Sequence, residues 1–86
     1  MRNVTSSITL ADSKQDARMK WQSTSNAPSD SPFSQAGECL VLSTLNGGCI
    51  QIAWKNPNNY DGLYTNVYWA NIDKWSGWKK IAVTSV

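Results

Sequence analysis

Hydrophobic and polar positions alternate with a period of two in the first part of the chain, and β-rich runs divided by turn signals follow. Ala17, Met19 and Trp21 alternate with Arg18 and Lys20, which predicts a strand with the Trp on its inner side. Val4, Ser6, Ile8 and Leu10 share one parity, which fits a strand or an extended arm over residues 3–10. Cys39 to Leu45 and Cys49 to Trp54 are two β-rich runs around Asn46-Gly47-Gly48, the pattern of a hairpin. Leu63 to Ala70 is a third strong strand, dense in Tyr, Val and Trp. Asn71 to Gly77 closes a second, longer hairpin, and Trp78 to Val83 returns as the last strand. No segment carries a 3.6-residue period, and no internal repeat is visible.

The pattern therefore predicts a mainly β fold, a small antiparallel meander or sandwich. Ser13 and Asp16 resemble a weak capping box and allow one short helical turn near the N-terminus. Residues 1–14 are expected to form an arm or edge strand, and residues 15–86 the β domain. Residues 23–37, with two prolines and many Ser, Asn and Asp, exclude a regular element. Phe33 is the only large apolar residue there and is expected to pin the loop to the core.

Two registers are open to the central hairpin. A two-residue Asn46-Gly47 turn sets Val41 opposite Ile52. A bulge at Gly48 sets Leu42 opposite Ile52 and Leu40 opposite Trp54. The second gathers Leu40, Leu42, Ile50, Ile52 and Trp54 on one face and is preferred as the better core. Neither register brings Cys39 and Cys49 within disulfide reach, so both are expected as free thiols.

The 86 residues allow one domain, which buries roughly 60% of the surface its unfolded chain exposes. Charged residues are 16%, against about 25% for an ordinary domain, and the net charge is +2. That balance argues against a nucleic-acid partner, even with Lys74, Lys79 and Lys80 close together. No run approaches the ~20 apolar residues of a membrane helix, so no membrane insertion is expected. The first seven residues lack the apolar stretch of a signal peptide, and the Asn3-Val4-Thr5 sequon is read as chance.

The chain has no histidine, which removes Ser-His and Cys-His nucleophile pairs. Its few carboxylates follow no catalytic pattern, and no enzyme, cofactor or metal is expected. Asp61 and Asp73 are sparse candidates for a calcium site.

Five Trp in 86 residues is the most unusual feature. Alternation places Tyr64, Asn66 and Tyr68 on one side of their strand and Leu63, Thr65, Val67 and Trp69 on the other. One sheet cannot bury both sides alone. Ring faces beside amides and carboxylates suit a carbohydrate, and the same chemistry suits a protein interface. The candidate binding rim is Asn59, Tyr60, Asp61, Trp69, Asn71, Asp73 and Trp75.

Trp75-Ser76-Gly77-Trp78-Lys79-Lys80-Ile81 resembles the closing Trp-Ser-x-Trp-Lys-Lys-Ile segment of the pyocin-knob domain family of phage and R-type pyocin tail fibres. Thr24-Ser25-Asn26-Ala27-Pro28 is similar to that family's Thr-Asn-Ala-Pro segment. Leu40-Val41-Leu42 and Ile50-Gln51-Ile52-Ala53 resemble its central hairpin, including the Gln. The ordered set covers roughly residues 17–83. Asn66, Tyr68 or Ala70 stands where the family often carries an Arg. The resemblance implies a homotrimeric receptor-binding module of a virion tail fibre, assembled in the bacterial host cytoplasm. Its partners would be a bacterial surface polysaccharide or lipopolysaccharide and other tail proteins. The alternative is a structural or assembly protein that contacts only other virion proteins.

Overall fold

The computed structural model describes residues 2–5 and 8–81. Those residues form one sheet of seven strands: β1 (Arg2–Asn3), β2 (Ala17–Trp21), β3 (Gly37–Ser43), β4 (Cys49–Lys55), β5 (Leu63–Trp69), β6 (Lys74–Trp75) and β7 (Lys79–Ile81). β1 lies parallel to β2 at one edge, and β2 to β5 run as an antiparallel meander. β6 and β7 both pair with β5 at the other edge. The fold is mainly β, with short 3₁₀ turns at Leu10–Asp12, Thr24–Asn26, Leu45–Gly47 and Pro57–Asn59.

Alternation is strict along β3, β4 and β5, and it sorts the sheet into two unequal faces. One face carries Met19, Trp21, Cys39, Val41, Cys49, Gln51, Ala53, Tyr64 and Asn66, all buried. Irregular chain covers it: Val4, Leu10 and Pro28 are buried there, and Ile8, Ala27, Phe33 and Trp78 are half-buried against it. Phe33 pins the long loop, its ring 5.7 Å from Trp21 and 5.2 Å from Tyr64. The molecule is 20 Å through its shortest dimension, room for a sheet and one further layer at about 10 Å spacing.

Polar anchors hold that layer. The Asp30 carboxylate accepts the Leu10 and Ala11 N–H groups at 2.7 and 2.8 Å and so caps the first 3₁₀ turn. Trp78 Nε1 donates to the Asp30 carbonyl at 3.0 Å, and Trp21 Nε1 donates to the Gln35 carbonyl at 2.7 Å. The chain leaves the strand pattern at Ser76–Trp78, which frees Trp78 to reach Asp30.

Three expectations need correction. The hairpin takes neither predicted register: Leu42 faces Ile50 and Leu40 faces Ile52, because a five-residue loop closed by Thr44 N–H to Gly48 O at 2.8 Å replaces both short turns. Leu40, Leu42, Ile50, Ile52 and Trp54 do share a face, but it is the uncovered one. The covering loops attach to the face of the small residues Cys39, Cys49 and Ala53, where they fit closely. The arm over residues 3–10 is strand only at its start, since Asp30 draws residues 10–12 into a turn; Ser6 and Ser7 lie outside the described residues. The predicted last strand is observed as Lys79–Ile81, and residues 82 and 83 lie outside the described residues.

Cys39 and Cys49 are both free and buried. Cys49 faces Ser43, four residues from Cys39, which is about 13 Å along the strand and too far for a disulfide.

Candidate functional site

In a meander, alternate turns lie at the same end of the sheet. The 44–48 turn and the 69–73 turn therefore meet, while the 56–62 connection lies at the opposite end. The predicted rim is divided accordingly. Asn59, Tyr60 and Asp61 are at the start of β5, and Trp69, Asn71, Asp73 and Trp75 are at or beyond its end, about 20 Å away at 3.3 Å per residue.

The second group forms an open groove of about 460 Å³, lined by Thr44, Leu45, Asn46, Gly48, Tyr68, Trp69, Ala70 and Asn71. Trp69 is 46% exposed and is the aromatic platform of this groove. Gly48 leaves its floor open: a Cβ there would stand 2.8 Å from Thr44 Oγ1 and 3.0 Å from the Tyr68 carbonyl. Asn46 and Gly47 have φ of +66° and +85°, a left-handed pair that turns the loop tightly and presents the Asn46 amide to solvent. The 69–73 turn is closed by Ile72 N–H to Trp69 O and Asp73 N–H to Ala70 O, both 3.3 Å.

Asp73 and Trp75 support the groove from the covered side. The Tyr68 hydroxyl donates to the Asp73 carboxylate, which raises the phenol pKa above its ordinary value. Trp75 is half-buried with its ring 5.1 Å from Tyr68. The Lys14 ammonium sits 4.5 Å from the centre of the same Tyr68 ring.

At the other end Tyr60 is 47% exposed, beside exposed Asn58 and Asn59. Asp61 is fully engaged: it accepts from Lys55 Nζ at 2.8 Å, Lys80 Nζ at 3.0 Å and Tyr64 Oη at 3.0 Å. The Lys55 and Lys80 hydrogen bonds hold its pKa down to about 2. This cluster braces the sheet. A second groove, about 400 Å³, is lined by Lys20, Trp21, Gln22, Gly37, Glu38, Asn56 and Pro57. Its Trp21 ring is only 2% exposed and offers no stacking face. Asp61 and Asp73, the pair considered for calcium, sit at opposite ends of β5, and no acidic or Cys cluster suited to a metal occurs among the described residues.

Thr44, Leu45, Asn46 and Gly48 were missing from the predicted rim. Meander order was the available signal, since it already puts the first and third turns together.

The uncovered face is the other notable surface. Leu42, Ile50, Trp69 and Ile81 are 42%, 36%, 46% and 49% exposed there, with half-buried Leu40, Ile52, Trp54, Leu63 and Val67 between them. Glu38 lies among them, engaged by Arg18 Nη2 and Trp54 Nε1, both at 2.9 Å. No described helix is long and apolar enough to cross a membrane.

Comparison of the chain with family models, curated proteins and solved structures finds no match.

Proposed function

We propose that this chain is a non-catalytic receptor-binding module of a phage or phage-derived tail fibre that recognises a bacterial surface glycan. The observation that carries the reading is the half-exposed Trp69 ring in a groove flanked by Thr44, Asn46 and Asn71. A pyranose lays its C–H face on such a ring while amide and hydroxyl groups take its hydroxyls. Few polar groups around an apolar platform is the ordinary composition of a small-ligand site. The resemblance of residues 75–81 and 24–28 to pyocin-knob segments supplies the tail-fibre context.

The reading includes a homotrimer. β3 to β5 present an uncovered, largely apolar area on the order of 300 Å² in projection, from ~4.8 Å between strands and ~3.3 Å per residue. A polar rim that includes Arg18 and Lys20 of β2 would supply the rest of the ~800 Å² each partner gives to a stable interface. Sister chains would cover Leu40, Leu42, Ile50 and Ile52 and leave the groove at the margin. Weak single sites would then gain avidity from repetition.

Surface-polysaccharide arrays and cell adsorption test the reading, with Trp69→Ala as the control. Loss of binding in the variant, with an unchanged circular dichroism spectrum, supports it. A chain indifferent to every glycan favours the second reading, a virion assembly protein docking through the uncovered face. Light scattering tests the trimer, and a stable monomer would overturn that part.

A further inference from the structure

The groove has a charge pattern that narrows its ligand. None of its lining residues is acidic. Trp69 is paired across the strands with Lys74, and Thr65, on the same face of β5, is paired with Lys79. Directly opposed side chains have Cβ atoms about 4.5–5.5 Å apart, so Lys74 and Trp69 leave the sheet side by side. Thr65 and Trp69 are four residues apart, which spaces the two lysines roughly 13 Å along one edge of the uncovered face.

The described carboxylates take their hydrogen bonds from groups other than Lys74 and Lys79. Asp73 is held by the Tyr68 hydroxyl, and Asp61 by Lys55, Lys80 and Tyr64. Asp16 accepts from Ser43, Asp30 from the Leu10 and Ala11 amides, and Asp12 from Thr9. Glu38, on the uncovered face, is engaged by Arg18 and Trp54. No described carboxylate forms an ion pair with Lys74 or Lys79. The exposed Trp69 thus has as its cross-strand neighbour a lysine with which no described carboxylate pairs, and a second such lysine lies further along the same edge.

We propose that the Trp69 groove selects a sugar chain bearing anionic groups, carboxylate or phosphate, with Lys74 and Lys79 as its charge contacts. This rests on the glycan-binding reading above. Ring stacking supplies affinity for any pyranose, and the two ammoniums discriminate between charged and neutral chains. The anionic chain runs from Trp69 along the β6–β7 edge, from Lys74 toward Lys79, and stays clear of the Leu40, Leu42, Ile50 and Ile52 surface.

The test is calorimetric titration of the full chain with three probes: polygalacturonate, a lipopolysaccharide with a phosphorylated core, and neutral dextran. At low salt one or both anionic probes bind more tightly than dextran, and the advantage shrinks as salt screens the exposed charges. Binding to polygalacturonate assigns carboxylate, and binding to the lipopolysaccharide that is lost when its core is dephosphorylated assigns phosphate. Exposed ion pairs are weak, so each lysine accounts for roughly two- to fivefold in affinity. Lys74→Ala with Lys79→Ala therefore lowers anionic binding about four- to twenty-five-fold and leaves dextran binding unchanged. Trp69→Ala weakens all three probes. Dextran binding as tight as the anionic probes, or a double variant with wild-type affinity, overturns the charge selection and leaves the glycan reading standing. No binding to any probe, or no effect of Trp69→Ala, overturns the glycan reading and the inference with it.

Discussion

The Gln51 carboxamide reaches across the core to Leu10, its Nε2 donating to the Leu10 carbonyl at 2.7 Å. The same nitrogen donates to the Ser13 carbonyl at 2.9 Å, and Gln51 is fully buried. One side chain of the central strand β4 thus fastens the N-terminal turn to the sheet. Gln51→Met keeps the volume and removes the donor. The Leu10 carbonyl retains the Ser13 N–H at 3.0 Å, so the loss falls mainly on Ser13. Gln51 Oε1 has no donor among the described residues, and its removal offsets part of that loss. Urea denaturation is expected to show a net loss of about 1–2 kcal/mol.

Asp61 makes the fold sensitive to acid in a narrow window. Hydrogen bonds from Lys55 and then Lys80 lower its pKa from the ordinary 3.8 to about 2. A carboxylate depressed in the folded state stabilises above its unfolded value, and the contribution disappears as pH falls through the folded one. Stability should therefore drop between about pH 4 and pH 2. Asp61→Asn should remove most of the slope in that window while lowering stability at neutral pH. Thermal melts of both proteins from pH 2 to pH 7 give the comparison.

Both cysteines are expected to be inert in the native protein. Burial, with a smaller effect of Asp30, pushes the Cys39 thiol up to about 12, and burial also raises Cys49. The thiolate is the nucleophile, so neither residue has enough of it, or enough access, to react at neutral pH. A chromogenic disulfide reagent should label neither thiol in native protein and both in guanidinium. Prompt labelling of Cys39 in buffer would contradict its placement under the covering layer.

Much of this architecture was legible in the chain, and the reasons for the failures are physical. The period of two in Ala17–Trp21, the β-rich runs around Asn46-Gly47 and the Tyr, Val and Trp content of Leu63–Trp69 located the main strands, and side chains alternate across a pleated sheet whatever packs on it. The same period says which residues share a face and is silent on which face is covered. Leu40, Leu42, Ile50 and Ile52 look like a core in sequence. The observed core contains Cys39, Cys49, Gln51 and Ala53, because loops without regular structure pack against small side chains and bring carbonyls that need a donor such as Gln51. The structure divides the expected rim between the two ends of β5. Trp69 and Asn71 line the groove, while Tyr60, near them in sequence, is separated from them by the whole length of β5.

The uncovered face yields a prediction separate from the groove. Ile50 lies between Leu42 and Val67 in the cross-strand pairing and is 36% exposed, so a charge there still reaches water in an isolated chain. Ile50→Lys is expected to change the melting temperature by only a few degrees, in line with small effects at exposed positions. In a trimer built through this face, the same ammonium would be buried without a partner, at a cost of several kcal/mol. Light scattering should then read a monomer in place of the trimer, and binding of neutral dextran at a single immobilised site should be unchanged.

Gly37 is where the sheet and its covering loop come closest, and its replacement tests that contact directly. It is the first residue of β3, it faces Lys55, and it lies under the Phe33 ring. A Cβ at this position would stand 2.5 Å from Phe33 Cε1 and 2.6 Å from the Trp54 carbonyl oxygen. The ring can swing, but the carbonyl belongs to the β3–β4 ladder and cannot yield without disturbing it. Gly37→Ala should therefore cost about 1–3 kcal/mol, as overpacking does elsewhere. Phe33→Ala removes the obstructing ring and also the tether to Trp21 and Tyr64, so it destabilises alone by about 2 kcal/mol, below the range for a fully buried Phe. If the clash with Phe33 dominates, the double variant will be more stable than the sum of the singles predicts. If the Trp54 carbonyl dominates, the two losses will add. A double-mutant cycle by urea denaturation separates these outcomes.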